Sequence, residues 1–287
     1  MRSQDLLRLY EEGYRDFTRL PLQGLDLGGR ILVGVNFAHS DLTGANFSRA
    51  FLTKANFEHA ALSQANFQFA KISDAHFQSA TLTKAIFQGA FAVRTDFSSA
   101  SLSGASMAHV NLRAALLTKA NCKGANLAGA NLRNANLEES KLSWTNLSGA
   151  RLIGANISNA DFTDARLESA FLNGLNFNDQ DLNGVTFESA KIKGASFQRA
   201  NLTATDFEHA NLQNSDFSQA KLAGANLAYA QLNHARFFHV DLHQVASAAV
   251  NWDGALLRET PQEVRYESSS EQGSQSDRTD SLRWMTA

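Results

Sequence analysis

Three features of the 287-residue sequence predict an all-β solenoid. A large apolar residue recurs, almost without a slip, at every fifth position from Phe17 to about Leu257, as at Leu42, Phe47, Leu52, Phe57 and Leu62. Two positions before each stands a small residue, such as Ala45, Ala50 or Ala55, and Asn or Asp often lies between, as at Asn46, Asn126 and Asp161. The unit reads A(N/D)(L/F)xx and keeps its register for dozens of copies. A fixed period of this kind marks an array in which each unit buries its apolar face only against its neighbours.

Five is neither a helical nor a strand period. A helix would spread the apolar residues around its circumference, and a strand would alternate them between faces. A short extended stretch followed by a corner resets the phase: the central Leu or Phe and the preceding Ala point inward and the other three positions point out. Four such sides close a square coil of about twenty residues, and successive coils stack at roughly 4.8 Å. Ala is demanded at the second inward position because four large central residues leave little interior to fill. Phe occupies alternate units from Phe37 to Phe97 and again from Phe177 to Phe217, so Phe is expected on two opposite sides and Leu on the other two. From Leu112 to Leu152 the core is nearly all Leu.

These units, running from about Leu20 to Leu257, resemble the pentapeptide-repeat family. The resemblance implies a right-handed quadrilateral β-helix of about eleven to twelve square coils over residues 20–257. The segment LLRLYEEGYRDF is similar to the opening segments of cyanobacterial members.

The termini read as separate elements. Residues 1–19 form a capping helix and lead-in, with Ser3 as N-cap, an apolar stripe of Leu6, Leu9 and Tyr10, and Gly13 placed to end it. Such a helix covers the open edge of the first coil. Residues 258–287 form a third region: Thr260, Pro261 and Glu263 suggest a short helix from Pro261 to about Tyr266, and a polar, disordered tail follows from Ser268. If that helix leaves the last coil uncovered, two rods can pair end to end, so monomer and end-to-end homodimer both stay open.

Three places stray from the pattern. Leu175, Gln180 and Val185 replace Ala at successive inward positions and are expected to widen or twist the coil. Ala92 stands where Leu or Phe belongs, leaving a gap for Phe91 to fill. Arg30 falls on an inward position and predicts an irregular first coil.

The sequence carries little chemistry, and no catalytic residue, cofactor or metal site is assigned. Its glycines are scattered singly, with no phosphate-binding loop. Cys122 occupies an inward central position and reads as a small buried hydrophobe. His239, Asp241 and His243 alternate near a corner, but extended spacing sets the two His backbones roughly 13 Å apart, so metal binding and solvated surface His both stay open. His39 and His59, twenty positions apart, are expected to stack. Met1 to Arg19 is charged and no long apolar run occurs, which predicts a soluble cytoplasmic protein without a membrane-binding segment.

An interaction surface is the better candidate. The outward position just before the central residue recurs on one side of the coil, and there it holds Phe51, Lys71, Phe91, Arg151 and Phe171. Phe51 and Phe171 have Leu neighbours filling the interior and are expected to be exposed. Exposed aromatics mixed with cations are what protein interfaces enrich. The expected function is a non-enzymatic protein-binding scaffold with an unidentified protein partner. The family resemblance also allows a DNA mimic that occupies DNA gyrase. Mimicry requires a strongly negative field, whereas the formal net charge is −2. Direct nucleic-acid binding is not expected, because Lys and Arg are diluted by Asp and Glu and form no long basic stripe.

Overall fold

The structure, a computed structural model, describes residues 1–258. Its logic is visible in one unit. The Leu42 N–H donates to the Ala61 carbonyl at 2.7 Å and the Gly44 N–H to Ser63 at 2.9 Å, both in the following coil. Asn46 donates back to Leu25 in the preceding coil, and Ala45 donates to Leu42 at 2.9 Å to close the turn. The fifth donor, Thr43 N–H, goes to the Asp41 carboxylate at 3.0 Å. The same side-chain bond is made by Asn46 to Ser48 and by Asn126 to Ala128. This explains the recurrent Asn or Asp: each caps the one amide per unit that the backbone leaves unpaired.

The third turn residue has positive φ in unit after unit from Arg19 to His239, at Gly44 (67°) but also at Lys54 (60°), His59 (56°) and Phe69 (57°). For residues with a Cβ this costs on the order of 1 kcal/mol each, and the surrounding ladder over-determines the conformation. Parallel pairing joins residues 20 apart on four sides, from Asp16↔Asn36 to Gln231↔Asn251. The last pair, strands β1 (Arg236–Phe238) and β2 (Leu256–Arg258), keeps that offset with Arg236 opposite Leu256.

Two phenylalanine columns run up opposite sides of the interior. Phe47, Phe67 and Phe87 stack at 4.9 and 4.8 Å, and Phe57 lies 4.7 Å from Phe77. Across the axis Phe57 meets Phe67 edge to face at 5.7 Å and 89°. Each such pair adds about 0.5–1.5 kcal/mol beyond the area it buries. A second block runs through Phe177, Phe187, Phe197 and Phe207. Between the blocks the columns hold Met107, Leu117, Leu127, Leu137, Leu147, Ile157 and Leu167, all buried.

Helix α1 (Ser3–Glu11) packs on the first coil through fully buried Leu6, and the Tyr10 hydroxyl donates to the Val33 carbonyl at 3.0 Å. Ser3 is not its cap: the N-cap is Arg2, which makes no side-chain capping bond. Its C-terminus closes as Gly13 donates to Tyr10 and Tyr14 to Leu9, with Gly13 at φ 97°. That paired pattern needs a left-handed residue, which Gly supplies. The expected helix from Pro261 and the polar tail lie outside the described residues.

The three irregular places behave differently. Phe91 does not swing in to fill the gap beside Ala92; it stays 52% exposed. Its amide is held by Ala70 and its carbonyl by Ile72, so the ladder fixes its side chain outward. Arg30 is exposed, and the coil there is regular, with Ile31 paired to Phe51. At Leu175 and Gln180 the ladder does open. Pairing is absent between Asn156 and Asn176 and between Asp161 and Asp181, while Arg151↔Phe171 and Arg166↔Thr186 persist on the other two sides. Side chains larger than Ala at these inward positions hold adjacent coils apart.

Candidate protein-interaction face

The parallel ladder brings all five predicted residues into one file. Ile31, Phe51, Lys71 and Phe91 pair in succession, and Asn111 and Asn131 continue the file to Arg151, Phe171 and Lys191. Phe51 and Phe171 project because their neighbours Leu52 and Leu172 fill the interior, whereas Phe91 lies beside the small Ala92. Phe51 is 38% exposed, under the Lys71 ammonium 4.6 Å from its ring centre. Phe171 is not exposed as expected: it is half-buried between Arg151 at 5.6 Å and Lys191 at 4.6 Å. Two long cationic side chains one coil away on each side cover it.

Folding also sorts charge, which corrects the expectation of no basic stripe. Each side is taken here as the residue before the central position plus the two turn residues after it. The Phe51 side then carries eight cations and two carboxylates, whereas the other three sides together carry ten cations and seventeen carboxylates. Of the two carboxylates, Asp74 is taken up by Arg94 in a bidentate pair at 2.7 and 2.8 Å. The Arg94 hydrogen bond holds the Asp74 carboxyl below its ordinary range. Among the described residues the other seven cations have no carboxylate within ion-pair distance. Arg113 and Arg133, on turn positions of this side, are exposed in adjacent coils. A five-residue reading missed them; aligning the sequence in twenty-residue rows stacks them beside Lys71 and Arg151.

The remaining candidates lie elsewhere. Phe69 projects at the corner that precedes Lys71, lying over Gly89 with the Arg49 guanidinium 5.8 Å from its ring centre. Trp144 donates its indole N–H to Asp164 at 3.0 Å. His39 and His59 stack at 5.0 Å. His243 Nδ1 lies 2.8 Å from Asp241 Oδ1, and among the described residues no group of three or more His, Cys, Asp or Glu is placed to hold a metal ion. Cys122 is fully buried, and desolvation pushes its thiol up to about 12, far from the thiolate form. Among the described residues no helix is long and apolar enough to cross a membrane.

The profile of the pentapeptide-repeat family, described as pentapeptide repeats in eight copies, matches residues 22–58, 60–98, 95–134, 125–164, 160–199 and 200–237. The chain is a pentapeptide-repeat protein. No curated protein sequence matches it. Among solved structures it is similar to HetL, a pentapeptide-repeat protein involved in heterocyst differentiation regulation from the cyanobacterium Nostoc sp. strain PCC 7120, with 24% identity over 90% of this chain and 95% of that one and a TM-score of 0.33. It is also similar to Rfr23 from the cyanobacterium Cyanothece 51142, with 25% identity over 56% and 98% of the two chains and a TM-score of 0.24. A third is QnrB1, a plasmid-mediated fluoroquinolone resistance protein, with 17% identity over 82% and 90% and a TM-score of 0.32. Pentapeptide-repeat chains fold as right-handed β-helices, in keeping with the four-sided pairing of this one.

Proposed function

We propose that this pentapeptide-repeat protein is a non-enzymatic scaffold that holds a protein partner along the file of Phe51, Lys71, Phe91, Arg151 and Phe171. The observation that carries the reading is Phe91, a large aromatic held 52% exposed by its backbone pairing although a small residue, Ala92, lies beside it. Aromatic residues and arginine are enriched at protein interfaces relative to the rest of the surface. A stiff ladder presents these groups with little ordering cost on binding. A DNA mimic would need negative charge on its contact surface, and here the most sharply charged side is positive.

The test compares wild type with a Phe51→Asp, Phe91→Asp double variant, shown folded by circular dichroism, as baits in lysate of the source organism. A partner retained by wild type and lost with the variant supports the reading. Equal retention by both assigns binding to another side.

A further inference from the structure

Resting on that scaffold reading, we propose that the partner docks through an acidic, extended segment of its own chain laid along the Phe51 side. The basis is charge complementarity. Lys71, Arg113, Arg133, Arg151, Lys191 and Lys193 are all exposed on this side, and among the described residues none has an ion pair. Like charges in adjacent coils of a parallel ladder repel, as Arg113 and Arg133 must. Elsewhere Arg199 pairs with Asp179 at 2.6 Å, Lys119 with Glu139 at 3.6 Å and Arg166 with Glu168 at 2.8 Å, and carboxylates outnumber cations on those sides. The Phe51 side therefore holds a local excess of positive charge in a rod whose other sides carry an excess of carboxylates, and an incoming row of carboxylates offsets the repulsion within it.

The dimensions suit a short segment. Phe51 and Lys191 are seven coils apart, roughly 34 Å at strand spacing, which an extended chain of about ten residues spans. Its apolar side chains meet Phe51 and Phe91 at one end of the file, and its carboxylates meet the cations further along. A nucleic acid fits less well. Phe51 lies partly under Lys71 and Phe171 is enclosed by Arg151 and Lys191, which leaves Phe91 as the one uncovered ring of the three, too few for a run of stacked bases. The excess of carboxylates on the other three sides also opposes a polyanion wrapping around the rod.

The probe is a fluorescent Glu-rich peptide of roughly a dozen residues with interspersed Leu, titrated against the full chain by anisotropy at low salt, beside the same peptide with Gln in place of Glu. The Glu peptide is expected to bind, the Gln peptide to bind at least about tenfold more weakly, and added salt to weaken the complex. Arg113→Glu with Arg133→Glu is expected to cost about tenfold or more, while Lys141→Glu with Lys221→Glu, on the opposite side, changes affinity by less than about twofold. Equal losses from both pairs overturn the proposal, as does equal binding of the two peptides. So does no binding of the Glu peptide to the full chain, as when residues 259–287, with six carboxylates, occupy the face themselves. Tighter binding of a single-stranded oligonucleotide or of phosphatidylserine vesicles, lost with the same two arginines, also overturns it in favour of that class. Failure here is separable from failure of the scaffold reading. If Phe51→Asp with Phe91→Asp abolishes partner capture and the arginine reversals leave it intact, the scaffold stands and the acidic segment falls.

Discussion

The Gln180 side-chain amide donates to the Ile157 carbonyl at 2.8 Å, across the interval where two sides of the rod lose their backbone ladder. Gln180 acts as both spacer and partial replacement: its amide nitrogen restores one bond, while its buried Oε1 finds no partner among the described residues. Among the described residues the amides of Ile157 and Phe162 there have no backbone acceptor, whereas Leu137 and Leu142, one coil earlier, bond to Asn156 and Asp161 at 2.7 Å. Hydrogen exchange is expected to be markedly faster at Ile157 and Phe162 than at Leu137 and Leu142. Gln180→Ala restores the consensus residue and is expected to slow exchange at Phe162. Equal protection in both coils would refute the opening.

Phe69 and Gly89 form a matched pair. A Cβ built on Gly89 meets the Phe69 ring at 2.5 Å, and Gly89 sits at φ 67°. Gly89→Ala is expected to destabilise the protein by about 1–2 kcal/mol in urea unfolding, from strain plus overlap. Adding Phe69→Ala is expected to recover the overlap portion only. A strictly additive pair would show that the ring moves aside freely.

The capping side chains carry a per-unit contribution. Asn126 Oδ1 accepts the Ala128 amide at 3.1 Å. Asn126→Ala is expected to cost about 1 kcal/mol in the same assay, and Asn126→Asp to retain most of the stability. Stability indifferent to both changes would assign that amide to water.

The Asp74–Arg94 pair gives a signed pH dependence. Asp74 titrates below its ordinary value because Arg94 hydrogen-bonds its carboxylate. A carboxylate with a lowered folded value contributes stability that is fully present above the unfolded value and lost as pH falls through the folded one. Arg94→Gln is therefore expected to raise the Asp74 titration midpoint seen by NMR. Its stability deficit at neutral pH should vanish in acid, below both values. A deficit that persists there would have a cause other than the ion pair.

Cys122 is fully enclosed, and burial pushes its thiol up to about 12. Labelling by iodoacetamide near pH 8 is expected only after unfolding, so the labelling rate should report global opening. Rapid labelling of the native protein would contradict the closed core.

The coil, its inward residues and the two aromatic columns were legible because the five-residue period dictates them whatever the outward residues are. The file from Phe51 to Phe171 was legible for the same reason, since a twenty-residue coil fixes which positions align. What escaped was set by neighbours one coil away. Phe171 is covered by Arg151 and Lys191, which lie twenty residues before and after it. Phe91 stays outward because Ala70 and Ile72 hold its backbone, a constraint stronger than the small gap beside Ala92. The basic side escaped because charge counted over the whole chain cancels, and only alignment in coils separates Arg113 and Arg133 from the carboxylates of the other sides.

The constant offset of 20 residues between paired strands bears on biosynthesis. Every ladder bond joins a coil to the one made immediately before or after it, so no part of the rod waits for sequence far downstream. At roughly 5–20 residues per second, a translating ribosome delivers one new coil every few seconds. Helix α1, emerging before the coils, shields the starting edge, and each completed coil becomes the template for the next. The growing molecule exposes a single unpaired rim throughout its synthesis, and its vulnerability to mispairing does not increase with length.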